Sequence, residues 1–167
     1  MNTKQSVASI NKITVLTVNS AEQARRIDQA IAQRAYEIFE RRGGTAWHEL
    51  EDWRQAESEV RSKLCFGLTS SAEALLVGCD IARFEKDSIE IWVAPKRVTI
   101  CGKPVAHKEK RANLDLHLYQ GTVFRAVPLP VEVEPDGALI NLRGNFLEIR
   151  LPKKHAWHED RVRANAA

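Results

Sequence analysis

The chain has no Cys-x-x-Cys pair, and its three cysteines, Cys65, Cys79 and Cys101, are odd in number and far apart. That argues against a disulfide framework or a thiolate zinc site and suits a reducing compartment, where Cys79 and Cys101 read as small apolar strand residues. No apolar run approaches the ~20 residues of a membrane-spanning helix. Residues 2–6 are polar, so a soluble, cytoplasmic protein with no membrane partner is expected. Neither a G-x-x-x-x-G-K-[ST] phosphate loop nor a dinucleotide fingerprint occurs, which predicts no cofactor and no ATP-driven action. A Gly-x-Ser-x-Gly elbow is also lacking. The five histidines are scattered; His155 and His158 have i, i+3 spacing but no further ligand set, so no metal is expected. Asp80, Glu85 and Asp87 fall in a turn and read as solubilising. No enzyme is predicted. Charge of one sign is also scarce, with 25 basic against 22 acidic residues and a net charge of +3. Only the pI near 8.8 and the stretch 103–111 hint at polyanions, and without a basic stripe no nucleic-acid partner is expected.

Hydrophobic residues make up 44% of the 167, enough for one ordinary domain and an appendage. From about residue 73 to 153 the chain is a series of short alternating apolar runs closed by Gly, Pro or charge. They are Ala74-Leu-Leu-Val-Gly-Cys-Asp-Ile81, Ile89-Glu-Ile-Trp-Val93, Arg97-Val-Thr-Ile-Cys-Gly102, Leu114-Asp-Leu-His-Leu118, Thr122-Val-Phe-Arg-Ala-Val127, Ala138-Leu-Ile-Asn-Leu142 and Phe146-Leu-Glu-Ile-Arg-Leu151. Seven such runs predict a mainly β fold, an antiparallel immunoglobulin-like β-sandwich over 72–153. The period of two puts Ile89, Ile91 and Val93 on one face, with Glu90 and Trp92 on the other. Pro128 removes a ladder hydrogen bond and predicts an edge or a bulge.

Before the sandwich, Ser20-Ala-Glu-Gln23 fits a capping box. Ala24, Ile27, Ile31, Ala35 and Ile38 then form one helical stripe, which Gly43-Gly44 ends. Thr45 is expected to cap a second helix carrying Trp47, Leu50, Trp53, Val60 and Leu64. The result is an N-terminal helical hairpin over 20–66, with Tyr36, Trp47 and Trp53 packed between its helices or, alternatively, offered to another chain. Residues 67–71 read as a linker. Residues 1–19 hold one β-branched alternation from Ile10 to Val18, a strand or a docking segment. Residues 154–167 read as a flexible, polar tail.

Asp80-Ile-Ala-Arg-Phe84, Ser88-Ile-Glu-Ile91, Arg97-Val-Thr-Ile-Cys-Gly102 and Phe146-Leu-Glu-Ile-Arg-Leu-Pro-Lys153, in this order, resemble the small heat shock protein (alpha-crystallin domain) family. Arg34-Ala-Tyr-Glu-Ile-Phe-Glu40 and Leu50-Glu-Asp-Trp-Arg-Gln-Ala-Glu57 resemble a small bacterial module of unknown function, which carries no activity across. The first resemblance implies an ATP-independent holdase of the stress response that binds partly unfolded client proteins and forms a homodimer or larger homo-oligomer. It implies a segment-docking groove between the strands holding Ile89, Ile91 and Val93 and those holding Ala138, Ile140 and Leu142. It also implies a dimer interface at Leu114, Leu116, Leu118 and Arg125, with the Leu114 strand exchanged onto a neighbour's sheet or, alternatively, paired within its own chain. Two departures matter. The family's Asn-Gly-x-Leu turn is here Gly144-Asn145-Phe146-Leu147, and its C-terminal Ile-x-Ile docking motif is missing from the tail. Ile13 and Val15, or Val15 and Val18, would supply the same alternate apolar knobs from the N-terminal end. The missing motif and the helical hairpin leave a second reading open: a non-enzymatic adaptor, co-chaperone-like, with one folded partner.

Overall fold

The computed structural model describes residues 7–10, 13–61, 63–105 and 121–154. Their order is β1 (Val7–Ile10), β2 (Ile13–Thr17), α1 (Ser20–Arg41), α2 (Glu49–Val60), β3 (Phe66–Ser70), β4 (Ala74–Asp80), β5 (Glu90–Ala94), β6 (Arg97–Gly102), β7 (Val123–Pro128), β8 (Leu139–Arg143) and β9 (Phe146–Pro152). The strands form two sheets, ordered β1-β2-β5-β6-β7 and β3-β4-β9-β8. Every pairing is antiparallel except β2 with β5, which is parallel. The fold is the expected β-sandwich with an N-terminal helical hairpin. Leu75, Val77, Ile91, Ile100, Val127, Ile149 and Leu151 meet between the sheets as one buried cluster, as alternation requires.

The outward face of the first sheet is not wet. Trp92, Cys101 and Phe124 are buried with Val18, Ile27, Ile31, Ile38, Ala56 and Val60, so the hairpin forms a third layer over β5, β6 and β7. This explains why β5 and β6 are buried at almost every position although they lie in a largely antiparallel sheet. The Trp92 and Phe124 rings pack with centroids 5.4 Å apart, and the Arg26 guanidinium lies 5.2 Å from the Trp92 ring centre.

Several local expectations change. The α1 cap is Asn19, whose side-chain oxygen accepts from the Glu22 N–H at 2.8 Å. Gln23, read as the far half of a capping box, turns inward instead: its amide donates to the Val18 carbonyl at 2.8 Å and accepts from the Thr99 hydroxyl at 2.7 Å. Tertiary partners won over the local cap because both groups would otherwise be buried unpaired. Thr45 does not cap α2, which begins at Glu49 after His48 without a side-chain cap. Gly43 and Gly44, at φ of 85° and 68°, do end α1 in the left-handed region.

Residues 67–71, read as a linker, belong largely to β3, paired with β4 from Phe66 opposite Cys79 to Ser70 opposite Leu75. The run has the small and polar character of a linker because β3 is an edge strand with mostly exposed side chains. Tyr36, Trp47 and Trp53 do not pack between the helices. They are 58%, 91% and 40% exposed, with Leu50 at 62%. The helices are joined instead by Ile31, Ile38, Ala56 and Val60 and by two charge pairs, Arg34 to Glu59 at 2.6 Å and Arg42 to Asp52. Pro128 ends β7 at the sheet margin, as expected. Gly144, at φ 63°, leads the two-residue turn that pairs Arg143 with Phe146, an arrangement glycine in the first position favours.

Candidate segment-docking groove

β8 is the margin of its sheet, whereas β5 lies inside the other, between β6 and β2, and β2 pairs on its far side with β1. The β2 register sets Thr14 opposite Glu90, Val15 opposite Ile91 and Thr17 opposite Val93. The Thr14 and Val18 N–H groups donate to the carbonyls of Ile89 and Val93 at 3.2 and 3.0 Å. Ile13 and Val15, two apart and therefore on one face, enter the sandwich core. Ile13 is 0% and Val15 7% exposed. They share a cluster with Ile89, Ile91, Val93 and Ile140, against which Ala138 and Leu142 are partly buried. Thr17 ties the far end of β2 to the loop before β8 by donating to the Asp136 carboxylate at 3.1 Å.

Thus all six residues expected to line the groove, together with Ile13 and Val15, occur in one place. Sequence reasoning did not foresee that the segment would lie parallel to β5, nor that α1 would fasten it. The Gln23 amide holds the Val18 carbonyl immediately after β2 and binds Thr99 of β6. The signal was a Gln inside an otherwise apolar helical stripe, a residue type that is buried only when its amide is satisfied.

Arg125 lies elsewhere. It sits on β7, at the sheet margin remote from β5, with its guanidinium carbon 5.0 Å from the ring centre of Phe66 in β3. Leu114, Leu116 and Leu118 lie outside the described residues, as do His155 and His158. Cys79 and Cys101 are buried and Cys65 is exposed. Burial, with the Asp80 carboxylate adding to it, pushes the Cys79 thiol up to about 12; burial likewise raises Cys101. Among the described residues no group of three or more His, Cys, Asp or Glu side chains is placed to hold a metal ion. No helix among them is long and apolar enough to cross a membrane.

Comparison with known proteins returns one family and a set of folds. Residues 27–62 match a family of proteins of unknown function, DUF2934, the helical module expected there. No curated protein sequence matches the chain. Among solved structures, the chain is similar to hspA from Xanthomonas axonopodis, at 20% identity and a TM-score of 0.45, over 55% of this chain and 93% of that one. A Del-C4 mutant of hsp14.1 from Sulfolobus solfatataricus gives 20% identity and 0.45 over 72% of this chain and 96% of that one. Heat shock protein 16.0 from Schizosaccharomyces pombe gives 16% and 0.45 over 56% and 89%. The chain is similar in fold to small heat shock proteins. The likeness is one of strand arrangement.

Proposed function

We propose that this protein is an ATP-independent holdase that takes up extended apolar segments of partly unfolded proteins. The observation that carries this reading is β2 itself: an extended stretch that pairs in parallel with β5 and turns alternate apolar side chains, Ile13 and Val15, into the core between the sheets. A slot that accepts Ile13 and Val15 by main-chain pairing and alternate side-chain burial has the chemistry to accept a similar segment from another chain. β2 then acts as a resident occupant, and client binding at the groove competes with it. Trp47, Leu50 and Trp53 at the hairpin tip add exposed apolar surface.

Assembly of copies belongs to the same reading. The outer margin of β3 carries no strand among the described residues, and its Leu68 is 39% exposed. An open margin of this kind is where a neighbour's strand adds, which supports a homodimer or larger homo-oligomer.

The test is light scattering of a heat-labile protein with and without the full chain, in the absence of ATP, beside the chain's own mass by size exclusion with multi-angle scattering. Suppressed aggregation is expected, and greater suppression per chain when β2 is weakened. Because Ile91 is wholly enclosed, a charge there would test folding more than docking; Ile13 and Val15 are the informative positions. No suppression by either form, together with a discrete small species, overturns the holdase reading. It would favour an adaptor with one folded partner, a reading the folded, aromatic hairpin tip supports.

A further inference from the structure

Where α2 runs out against the β7 margin there is a basic cleft of about 360 Å³ lined by Arg54, Glu57, Ser58, Arg61, Lys63 and Arg125. Its one carboxylate, Glu57, is already engaged by the Arg61 Nε at 2.7 Å. Three positive charges are left over. Basic residues near a helix C-terminus complement its carbonyl end, and that accounts for Arg61, which directly follows α2. It does not account for Arg125, which comes from the sandwich. The Arg125 Nε is buried without a hydrogen-bond partner among the described residues, while the Phe66 ring holds its guanidinium in place. With its Nε enclosed and its orientation fixed by the ring, Arg125 meets the cleft through the rest of its guanidinium, a preorganised oxyanion receptor.

We propose that this cleft binds a phosphate-type oxyanion, bridging Arg125 of the sandwich and the Arg61–Lys63 end of the hairpin. A dianion suits it better than a single carboxylate, because the unanswered charge exceeds one and Coulomb attraction scales with the product of charges. Guanidinium groups meet tetrahedral oxyanions through paired N–H donors, and the Ser58 hydroxyl adds a further donor at the rim. The bound anion would hold the hairpin to β7 across the Arg61–Phe124 bridge, a place where the two layers otherwise meet through few residues.

The experiment titrates inorganic phosphate into the full chain at constant ionic strength, following the melting temperature and the phosphorus NMR line width. A saturable rise of about 3–5 °C at ten times the dissociation constant is expected, with acetate at equal ionic strength giving none. Arg125→Gln and the exposed double variant Arg61→Gln, Lys63→Gln should each weaken binding at least ~10-fold, the loss of a charge-assisted bond. Arg150→Gln, on β9 and paired with Glu73, should bind as the wild type does. If Arg125→Gln fails to fold, the exposed double variant still decides the matter. Phosphoserine run in parallel tells a bare ion from a phosphate ester by which binds more tightly. A shift that acetate reproduces, or that survives both variants, means ionic screening only and overturns the proposal. So does an absence of phosphate binding with a change of assembled mass in Arg125→Gln, which would give Arg125 to a carboxylate of a second copy.

Discussion

Replacing Ile13 and Val15 together with alanine should release β2 while leaving the sandwich folded. Ile→Ala removes three carbons and Val→Ala two, all from side chains that are almost wholly enclosed. At ~0.8 kcal/mol per buried CH2 the loss is about 4 kcal/mol. Since ~1.4 kcal/mol is a factor of ten, opening of the groove should become about 1,000-fold more populated. Amide hydrogen exchange reads this directly, because the Thr14 and Val18 N–H groups are bonded only through this docking, to Ile89 and Val93. Their protection should fall by about that factor, while amides of β4 and β9 in the other sheet keep theirs. A labelled peptide of residues 10–18 should then bind the variant and not the wild type. Two results would refute the reasoning. Equal loss of protection throughout β4 and β9 would make β2 an integral core strand and not a detachable occupant. Unchanged protection at Thr14 and Val18 would mean that these side chains do not hold it.

Gln23→Ala should cost about 1–3 kcal/mol in urea unfolding, because the Thr99 hydroxyl and Val18 carbonyl lose a buried partner; a change under about 0.5 kcal/mol would show the network to be dispensable. Trp47, exposed and at φ 86°, should tolerate Trp47→Asn with no loss or a gain of about 0.5–1 kcal/mol, since asparagine accepts the left-handed region more readily, whereas Ile31→Ala should lose about 2–5 kcal/mol. A marked loss at Trp47 would mean that the indole is packed after all. A thiol reagent at about pH 8 should modify Cys65 alone in the native chain and all three cysteines once it is unfolded, because thiolates form reluctantly at the enclosed sites; rapid native labelling of Cys79 would contradict its burial. The Glu22 carboxyl is held below its ordinary value of 4.5, chiefly by the hydrogen bond from Arg26. Its folded value is thus depressed, so its contribution is present above pH 4.5 and lost as the pH falls through the lower folded value. The stability difference between wild type and Glu22→Gln should vanish in acid, and a difference that persists unchanged at about pH 2 would refute the pairing.

Local sequence was sufficient for the described strands from Ala74 onward, because alternation of period two is imposed by the pleat and needs no knowledge of partners. Ile91 inward and Trp92 outward could be read from spacing alone. The end of α1 at Gly43-Gly44 and the turn at Gly144-Asn145 were legible for the same reason: only backbone freedom is at stake there. What covers Trp92, Cys101 and Phe124 was not legible, since an apolar outward face demands a cover without saying which segment provides it. β3 was hidden because an exposed edge strand has no apolar pattern. The aromatic residues of the hairpin were misplaced because hydrophobicity ranks tryptophan as interior, whereas Ala56 and Val60 suffice where two helices and an Arg–Glu pair meet closely. The basic cleft joins Arg54, Arg61 and Lys63 to Arg125, about sixty residues further on, and no spacing rule connects them. The sequence by itself determined which residues seek burial and at what period. Only the tertiary structure decided their partners, because Ile13 gains the same free energy from any closed apolar slot, and the slot exists only after β5 and β8 have been brought together.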